Sequence, residues 1–178
     1  MKFPHKILVL SLILLVLLSC RRTRWDEFDI DYSTKFVIPS ELGVSTSFSI
    51  PTPDITSNSE QEFENNDTRA RWVNNIQLEE IELNIESPSN RDFSFLKDIE
   101  IYINSDGNSE TMLASKYDIP EDVGQRLVLN STGNNFASHI KAEKFSLRVV
   151  HTTRQFFSQD ITIRADKTFL VKNDNRLF

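Results

Sequence analysis

The sequence predicts an all-β fold: an antiparallel β-sandwich, immunoglobulin-like or jelly-roll-like, with about nine short strands and at most one short helix. Three observations favour this class. Large apolar residues recur at steps of two, as in half-buried strands, and not at the three- and four-residue steps of an amphipathic helix. Turn residues interrupt the apolar runs at intervals of about ten residues. The 13 phenylalanines, with the isoleucines and leucines, provide the inward side chains that two facing sheets require.

The first two strands are predicted before residue 51. Residues 28–32 alternate apolar and acidic side chains, which is the pattern of a strand with one face in water. The apolar alternation continues at 36–38 and stops at Pro39, and residues 44–50 alternate with serines until Pro51. A proline suits the end of a strand because that position needs no hydrogen-bond donor.

Residues 51–71 are predicted to form a long loop that could include one helical turn. Ile55 and Phe63 are its only large apolar side chains. Long loops without secondary structure are uncommon in compact domains and are often functional. Trp72 follows the loop and is either an exposed platform for a ligand or, as we favour, a core aromatic beneath the loop.

The central unit is predicted to be an antiparallel hairpin over residues 73–103, in the middle of one sheet. The apolar parity changes between Leu78 and Ile81, so a β-bulge near Glu79-Glu80 would bring both to one face. The Ser-Pro-Ser-Asn cluster at 87–90 is the predicted turn. The predicted core includes Leu83, Ile99 and Ile101.

The C-terminal half is predicted to add five strands and the short helical segment. Residues 104–108 contain Asp-Gly, a hairpin signal, and open this half. The strands are predicted at residues 112–117, 125–129, 145–149, 161–163 and 169–171. The last two are joined through residues 165–167. Phe136 and Ile140 lie four residues apart, which predicts one or two helical turns.

A separate signal lies at the amino terminus, where Lys2 and Lys6 precede an apolar run over residues 7–18. A basic start, an apolar centre and a small residue before the cut are typical of a secretory signal peptide. The run is shorter than the ~20 residues that a membrane-spanning helix needs. Its end, Leu17-Leu18-Ser19-Cys20, is similar to the lipobox of bacterial lipoproteins, and Cys20 is the only cysteine.

This resemblance implies cleavage before Cys20, a diacylglyceryl group on its sulfur and acylation of the new amino group, with palmitate among the acyl chains. The chain then consists of a signal peptide, a lipidated tether and a single β-sandwich domain, at 1–19, 20–27 and 28–178. The resemblance implies a lipid anchor in the bacterial cell envelope. It points to the outer membrane rather than the inner one because Arg21, and not an aspartate, follows the cysteine. An ordinary secreted protein, or an uncleaved anchor, with a chance cysteine is the alternative.

The charge of the chain argues against a nucleic-acid partner. Residues 1–19 contain two of the 20 basic residues and none of the 26 acidic ones, which leaves 18 basic and 26 acidic residues, a net charge of −8. Such a surface repels nucleic acid and anionic headgroups. Residues 21–27, which include three arginines, are interpreted as a solvated linker rather than as a headgroup contact.

The sequence contains no motif that predicts a catalytic, cofactor-binding or metal-binding site. None of the four glycines lies in a dinucleotide or phosphate-binding loop. The 104–108 turn has alternating oxygen side chains, but its glycine is misplaced for a calcium loop and Ser115 stands where a glutamate is needed. Adjacent acids such as Glu79-Glu80, Glu121-Asp122 and Asp29/Asp31 are interpreted as solvated.

The histidines are also interpreted as structural. Neither His139 nor His151 has a second ligand at metal spacing. His151 is expected to be hydrogen-bonded or to face solvent. A Ser-His-Asp triad assembled in space leaves no signature in a sequence.

The predicted function is therefore that of a non-enzymatic, membrane-tethered binding or structural module. Its membrane contact is the lipid on Cys20, and its partner is an envelope protein or a glycan. A hydrolase of envelope or extracellular polymer is the alternative. Function usually lies in loops on a rigid scaffold. The candidate binding segments are therefore the 51–71 loop with Trp72 and the turn at 118–124.

Overall fold

The computed structural model describes residues 27–40 and 42–173, which fold into an antiparallel β-sandwich. The predicted fold class is confirmed. The strands are β1 (Glu27–Ile38), β2 (Ser47–Pro51), β3 (Ile55–Thr56), β4 (Val73–Ser87), β5 (Leu96–Ser105), β6 (Thr111–Lys116), β7 (Arg126–Val128), β8 (Asn130–Ser131), β9 (Lys144–Thr153) and β10 (Ile161–Asn173). The helices are α1 (Ser59–Asn65) and α2 (Ala137–Ile140), with 3-10 turns at Ala70–Trp72 and Phe93–Phe95.

The strands form two sheets whose inward faces make the core. The first sheet has the order β1-β10-β4-β7. The second has the order β2-β9-β5-β6-β8, and β3 also pairs with β9. The large buried side chains come from both sheets, and aromatic contacts join them: Tyr32 of β1 packs edge-on against Phe145 of β9, with ring centroids 5.1 Å apart. The apolar residues that alternate along the strands of both sheets therefore fill one shared interior.

The predicted central hairpin is wrong, because β4 and β5 belong to different sheets. β4 pairs with β10 and β7, whereas β5 pairs with β9 and β6. The connection at 88–95 crosses from one sheet to the other. Phe93 and Phe95, expected at the start of the returning strand, lie instead in a 3-10 turn and are both buried. Alternation shows that a segment is a strand, but it carries no information about which strand is its neighbour.

The predicted bulge in β4 is present. The register between β4 and β10 shifts between Thr168 and Phe169, where Glu79 is the extra residue. Leu78 and Ile81 on either side are therefore both buried, despite their different parity. The residues predicted for the core are each 0% exposed: Leu83, Ile99 and Ile101.

The two strands predicted at 161–163 and 169–171 are one continuous strand, β10, of 13 residues. Its side chains alternate between buried and half-buried along its whole length, and β10 lies between β1 and β4. The predicted turn was wrong because Lys167 occupies an inward position. A charged residue there interrupts the apolar pattern without interrupting the strand.

The segment at 51–71 is more ordered than predicted. It contains β3, α1 and the start of a 3-10 turn. The fully buried Phe63 holds α1 against β1, where its ring meets that of Phe28 edge-on at 6.3 Å. The hydroxyl of Tyr32 donates a hydrogen bond to the carbonyl oxygen of Ser57 at 2.5 Å. The sequence signal was weak because one buried phenylalanine is enough to anchor a helix of seven residues.

Two smaller predictions agree with the structure. The hairpin signal at 104–108 joins β5 to β6, and Gly107 has a φ of +76°, a conformation that favours glycine. Phe136 and Ile140 are both buried beside the short helix α2.

The register of the first sheet defines two ends of the sandwich. β1 begins at Glu27 opposite Lys172, and β4 begins at Val73 opposite Asn173. We call this the near end. β10 begins at the other end, opposite the last residues of β1 and β4, and we call that the far end.

The predicted signal peptide, Cys20 and most of the tether lie outside the described residues. β1 begins at Glu27, the last residue assigned to the tether. Within the described ranges, no helix has the length and apolar character that a membrane crossing requires.

Candidate binding surfaces

Three connections meet at the far end and are joined by hydrogen bonds. The far-end platform consists of residues 88–96, 117–125 and 154–157. The guanidinium of Arg154 donates to the carbonyl oxygens of Leu96, at 2.8 Å, and of Ile119. Gln125 donates to two carbonyl oxygens of the first connection, at 2.5 and 2.9 Å. These bonds hold the three backbones in one arrangement.

The platform displays one aromatic side chain and buries its neighbour. Phe157 is 6% exposed and packs edge-on against Phe95, with ring centroids 5.2 Å apart. Phe156 is 75% exposed. Gln155 on its other side donates to the hydroxyl of Ser94 at 3.4 Å. Because both neighbours are held, Phe156 projects into solvent.

The turn at 118–124, a candidate from the sequence, belongs to this platform. Ile119 is buried, and its N–H donates to the carbonyl oxygen of Lys97 at 2.9 Å. Sequence reasoning missed Phe156. Its signal was the Phe156-Phe157 pair in the polar segment 154–160, because adjacent residues in an extended chain point to opposite sides.

The Trp72 cluster lies at the near end and consists of Arg69, Arg71 and Trp72. Trp72 is half-buried, so it is neither the exposed ligand platform nor the core aromatic that the sequence analysis considered. The guanidinium carbons of Arg69 and Arg71 lie 5.5 and 4.9 Å from the centroid of the indole ring. Both distances fit cation–π contacts.

Two shallow, open depressions flank α1. One, of about 430 Å³, is lined by Arg69 and Trp72 of the cluster together with Glu64, Asp67 and Thr68. The other, of about 460 Å³, lies between α1 and residues 141–143. Burial lowers the pKa of Lys141 at the edge of the second depression. The 51–71 segment selected from the sequence therefore borders both.

His139 makes the one serine–histidine contact that resembles part of a catalytic triad among the described residues. Its Nδ1 lies 3.0 Å from Oγ of Ser105, which also accepts from Asn108 at 3.0 Å. The contact is reversed relative to a triad, in which the serine meets Nε2 and a carboxylate orients Nδ1. Here the second nitrogen, Nε2, lies 3.4 Å from the hydroxyl of Thr111. Ser105 and His139 are both buried, and burial lowers the pKa of the imidazole. The contact joins α2 to the β5–β6 hairpin.

His151 contradicts its prediction. It lies on the inward face of β9, 1% exposed, and neither ring nitrogen has a hydrogen-bond partner. Its ring centroid is 6.2 Å from that of Phe48, on the edge strand β2. Burial lowers the pKa of His151 to about 4, so the imidazole is neutral at pH 7.

Lys167 is a second buried ionisable residue, on the inward face of β10. It is 2% exposed, and its ammonium donates to the carbonyl oxygen of Ala165 at 2.9 Å. Burial lowers the pKa of Lys167 to about 7, against a smaller opposite effect of Asp166. The lysine therefore changes charge near neutral pH and not near its ordinary pKa of 10.5.

The acidic pairs considered in the sequence analysis lie on exposed faces. They are Asp29/Asp31, Glu79-Glu80 and Glu121-Asp122. Across residues 27–40 and 42–173, no three side chains of histidine, cysteine, aspartate or glutamate are placed to share a metal ion.

No family model matches the chain, and no curated protein matches it. Among solved structures, it is similar to FlhE at 10% identity, covering 82% of this chain and 97% of that one with a TM-score of 0.31. It is also similar to Desmodium yellow mottle tymovirus at 7% identity, covering 82% and 89% with a TM-score of 0.24. Likenesses this distant carry no functional argument.

Proposed function

We propose that this protein is a lipid-anchored, non-enzymatic module of the bacterial cell envelope that binds an envelope protein through its far end. The lipobox-like residues Leu17-Leu18-Ser19-Cys20 support the anchor. Two features of the structure support the binding role. β1, which directly follows the tether, begins at the near end, and the far-end platform lies at the opposite end of the sandwich. An anchor at one end leaves the other end accessible to partners.

The display of Phe156 is the observation that carries the proposal. Burial of a phenylalanine side chain contributes about 1.5–3 kcal/mol to association. The backbone at Phe156 is fixed by its two neighbours, so less conformational entropy is lost when the site binds a partner. Aromatic residues, phenylalanine included, are enriched in protein interfaces relative to the rest of the surface. A glycan, which also packs against aromatic rings, is the alternative partner.

A photo-crosslinking experiment tests the binding site in the native envelope. A benzophenone amino acid replaces Phe156 in the full-length protein, and the matched control replaces Val128, which is 39% exposed on β7. We expect one discrete adduct from position 156 that is missing from position 128. No adduct at 156, or the same adducts at both positions, would contradict the proposal.

The anchor is tested separately with Cys20→Ser. Serine lacks the thiolate that accepts the diacylglyceryl group. We expect the variant to keep residues 1–19 and to run larger than the wild type. Mass spectrometry of the wild-type amino terminus should give a peptide that begins at Cys20 and carries acyl mass. An unmodified terminus elsewhere, or a variant processed like the wild type, would exclude the anchor.

The hydrolase alternative has one observation in its favour, the contact between Ser105 and His139. Several features oppose it: Ser105 is 7% exposed, its hydroxyl is engaged by Asn108, and a threonine replaces the orienting acid. Turnover of a glycan or ester library by the purified protein that disappears in Ser105→Ala would favour the hydrolase. We expect no turnover from either protein.

A further inference from the structure

We propose that the Trp72 cluster contacts the phospholipid headgroups of the membrane that holds Cys20. This inference rests on the lipid anchor of the proposed function and adds a second point of membrane contact. The occupant is a bilayer surface with anionic phosphates, approached by two guanidinium groups and one indole ring.

The register of the first sheet places the cluster beside the tether. Glu27 pairs with Lys172 on β10, and the neighbouring Asn173 pairs with Val73 on β4. Trp72 directly precedes Val73. Strands in a sheet are about 4.8 Å apart, so the cluster lies about 10 Å to the side of the point where β1 begins.

The length of the tether limits how far this end can move from the membrane. Glu27 is the seventh residue after Cys20, and a fully extended chain of seven residues spans at most about 25 Å. The 13 residues of β10 separate the near end from the far end; at about 3.3 Å per residue they span about 40 Å. An acylated Cys20 therefore keeps the Trp72 cluster close to the bilayer, and the far-end platform can extend beyond it.

The chemistry of the cluster matches the headgroup region. Tryptophan is enriched there because its ring is apolar and its N–H is polar. Arginine binds phosphate through a planar fork of donors. Arg69 and Arg71 place two guanidinium groups within 5.5 Å of the indole ring, and each can donate hydrogen bonds to phosphate oxygens. Basic residues near an anionic membrane surface are attracted to it.

The acidic surroundings limit the strength of this contact. Glu64 and Asp67 line the same depression as Arg69 and Trp72. The overall charge of the chain is also negative. The cluster is therefore too weak to recruit the protein by itself. A short tether raises the effective concentration of a second contact to about the millimolar range, which favours a weak contact made jointly by the two guanidinium groups and the indole ring.

Tryptophan fluorescence in the lipidated full-length protein tests this contact. The chain has two tryptophans, so Trp25→Phe leaves Trp72 as the only one. This variant is reconstituted into vesicles of phosphatidylethanolamine and phosphatidylglycerol whose acyl chains carry bromine. We expect the emission of Trp72 to fall about twofold, with stronger quenching by bromine near the headgroup than near the chain end, as for an interfacial ring.

Matched variants separate membrane contact from general quenching. In a protein with Trp25→Phe, Trp72→Phe and Phe156→Trp, the single tryptophan lies at the far end, and we expect no quenching. Arg69→Gln with Arg71→Gln, in the Trp25→Phe background, should reduce the quenching of Trp72 and remove its dependence on phosphatidylglycerol. Equal quenching at positions 72 and 156, or quenching independent of both arginines and phosphatidylglycerol, would overturn the inference.

Flotation of the same samples distinguishes this failure from failure of the proposed function. Protein that carries acyl mass and floats with the vesicles while Trp72 remains unquenched contradicts the headgroup contact alone. Protein without acyl mass that stays with the aqueous fraction contradicts the lipid anchor, and this inference falls with it.

Discussion

The two sheets each hold an ionisable side chain in the shared interior, but they accommodate it differently. Lys167 of the first sheet keeps one hydrogen bond, to the carbonyl oxygen two residues earlier on its own strand. His151 of the second sheet has no hydrogen bond at either nitrogen. A flexible side chain can bend back to find an acceptor, whereas an imidazole on a central strand cannot. The alternation of a sheet buries whichever residue occupies the inward position.

The largest effect is expected when an acid enters the second sheet. Ile101 is fully buried on β5. Ile101→Asp would bury a carboxylate without a partner and should destabilise the fold by several kcal/mol. Glu100→Gln, on the outward face, should change stability by less than about 1 kcal/mol. Urea denaturation compares the two variants; similar midpoints would mean that the interior accepts charge generally.

Replacement of Lys167 should have the next largest effect, and it should stabilise the protein. The unfolded lysine binds its proton below a pKa of 10.5, but the folded one only below about 7. The unfolded state therefore binds more protons between these values, and stability falls as the pH decreases from 10.5 to 7, by about 4 kcal/mol in total. Lys167→Met should be more stable by a few kcal/mol at pH 7.

The pH profile identifies the origin of that gain. Urea midpoints at pH 7 and pH 9 should differ in the wild type and should be nearly equal in Lys167→Met. A variant that is less stable than the wild type at both pH values would show that the lysine contributes more through its hydrogen bond and packing than its burial costs.

His151 should give a smaller effect in a different pH range. Its folded pKa of about 4 lies below the ordinary value of 6.5, so stability falls as the pH decreases from 6.5 to 4. The total loss is about 3 kcal/mol. His151→Leu should remove this loss and stabilise the fold by about 1–2 kcal/mol at pH 7, since unsatisfied nitrogens no longer occupy the interior. Thermal melts at pH 5 and pH 7 measure both effects; an unchanged pH dependence would contradict the assignment.

The smallest effect on stability is expected at the far end, outside the shared interior. Phe156 is 75% exposed. Phe156→Ser should therefore change the free energy of unfolding by less than about 0.5 kcal/mol. The matched variant Phe157→Ser removes a buried aromatic and should cost about 3 kcal/mol or more. Equal costs at the two positions would show that Phe156 packs against the platform in solution.

Sequence reasoning predicted the class of the fold because alternation is a local property. It located the bulge in β4 and the core positions Leu83, Ile99 and Ile101, which the structure confirms. It failed on the partners of β4 and β5. A Ser-Pro-Ser-Asn turn can join two paired strands of one sheet, or it can begin a connection from one sheet to the other. Only long-range contacts decide between these outcomes.

The candidate surfaces were predictable in part. The 51–71 segment was selected for its length, and it does border both depressions beside α1. The serine–histidine contact and the burial of His151 depend on how residues far apart in the chain meet, which no local pattern records. The turn predicted at 165–167 was wrong because charged residues are usually exposed, whereas Lys167 occupies an inward position of β10 and is buried.

The position of β10 sets the order in which the molecule can be assembled. β10 is the last of the described strands, yet it lies between β1 and β4 and is the only partner of β1 within the described sheets. β1 therefore waits for more than a hundred residues of chain before it can pair, which predicts slow, topology-limited folding. In a chain that crosses a membrane with its amino terminus first, the first sheet stays open until residues 161–173 have crossed.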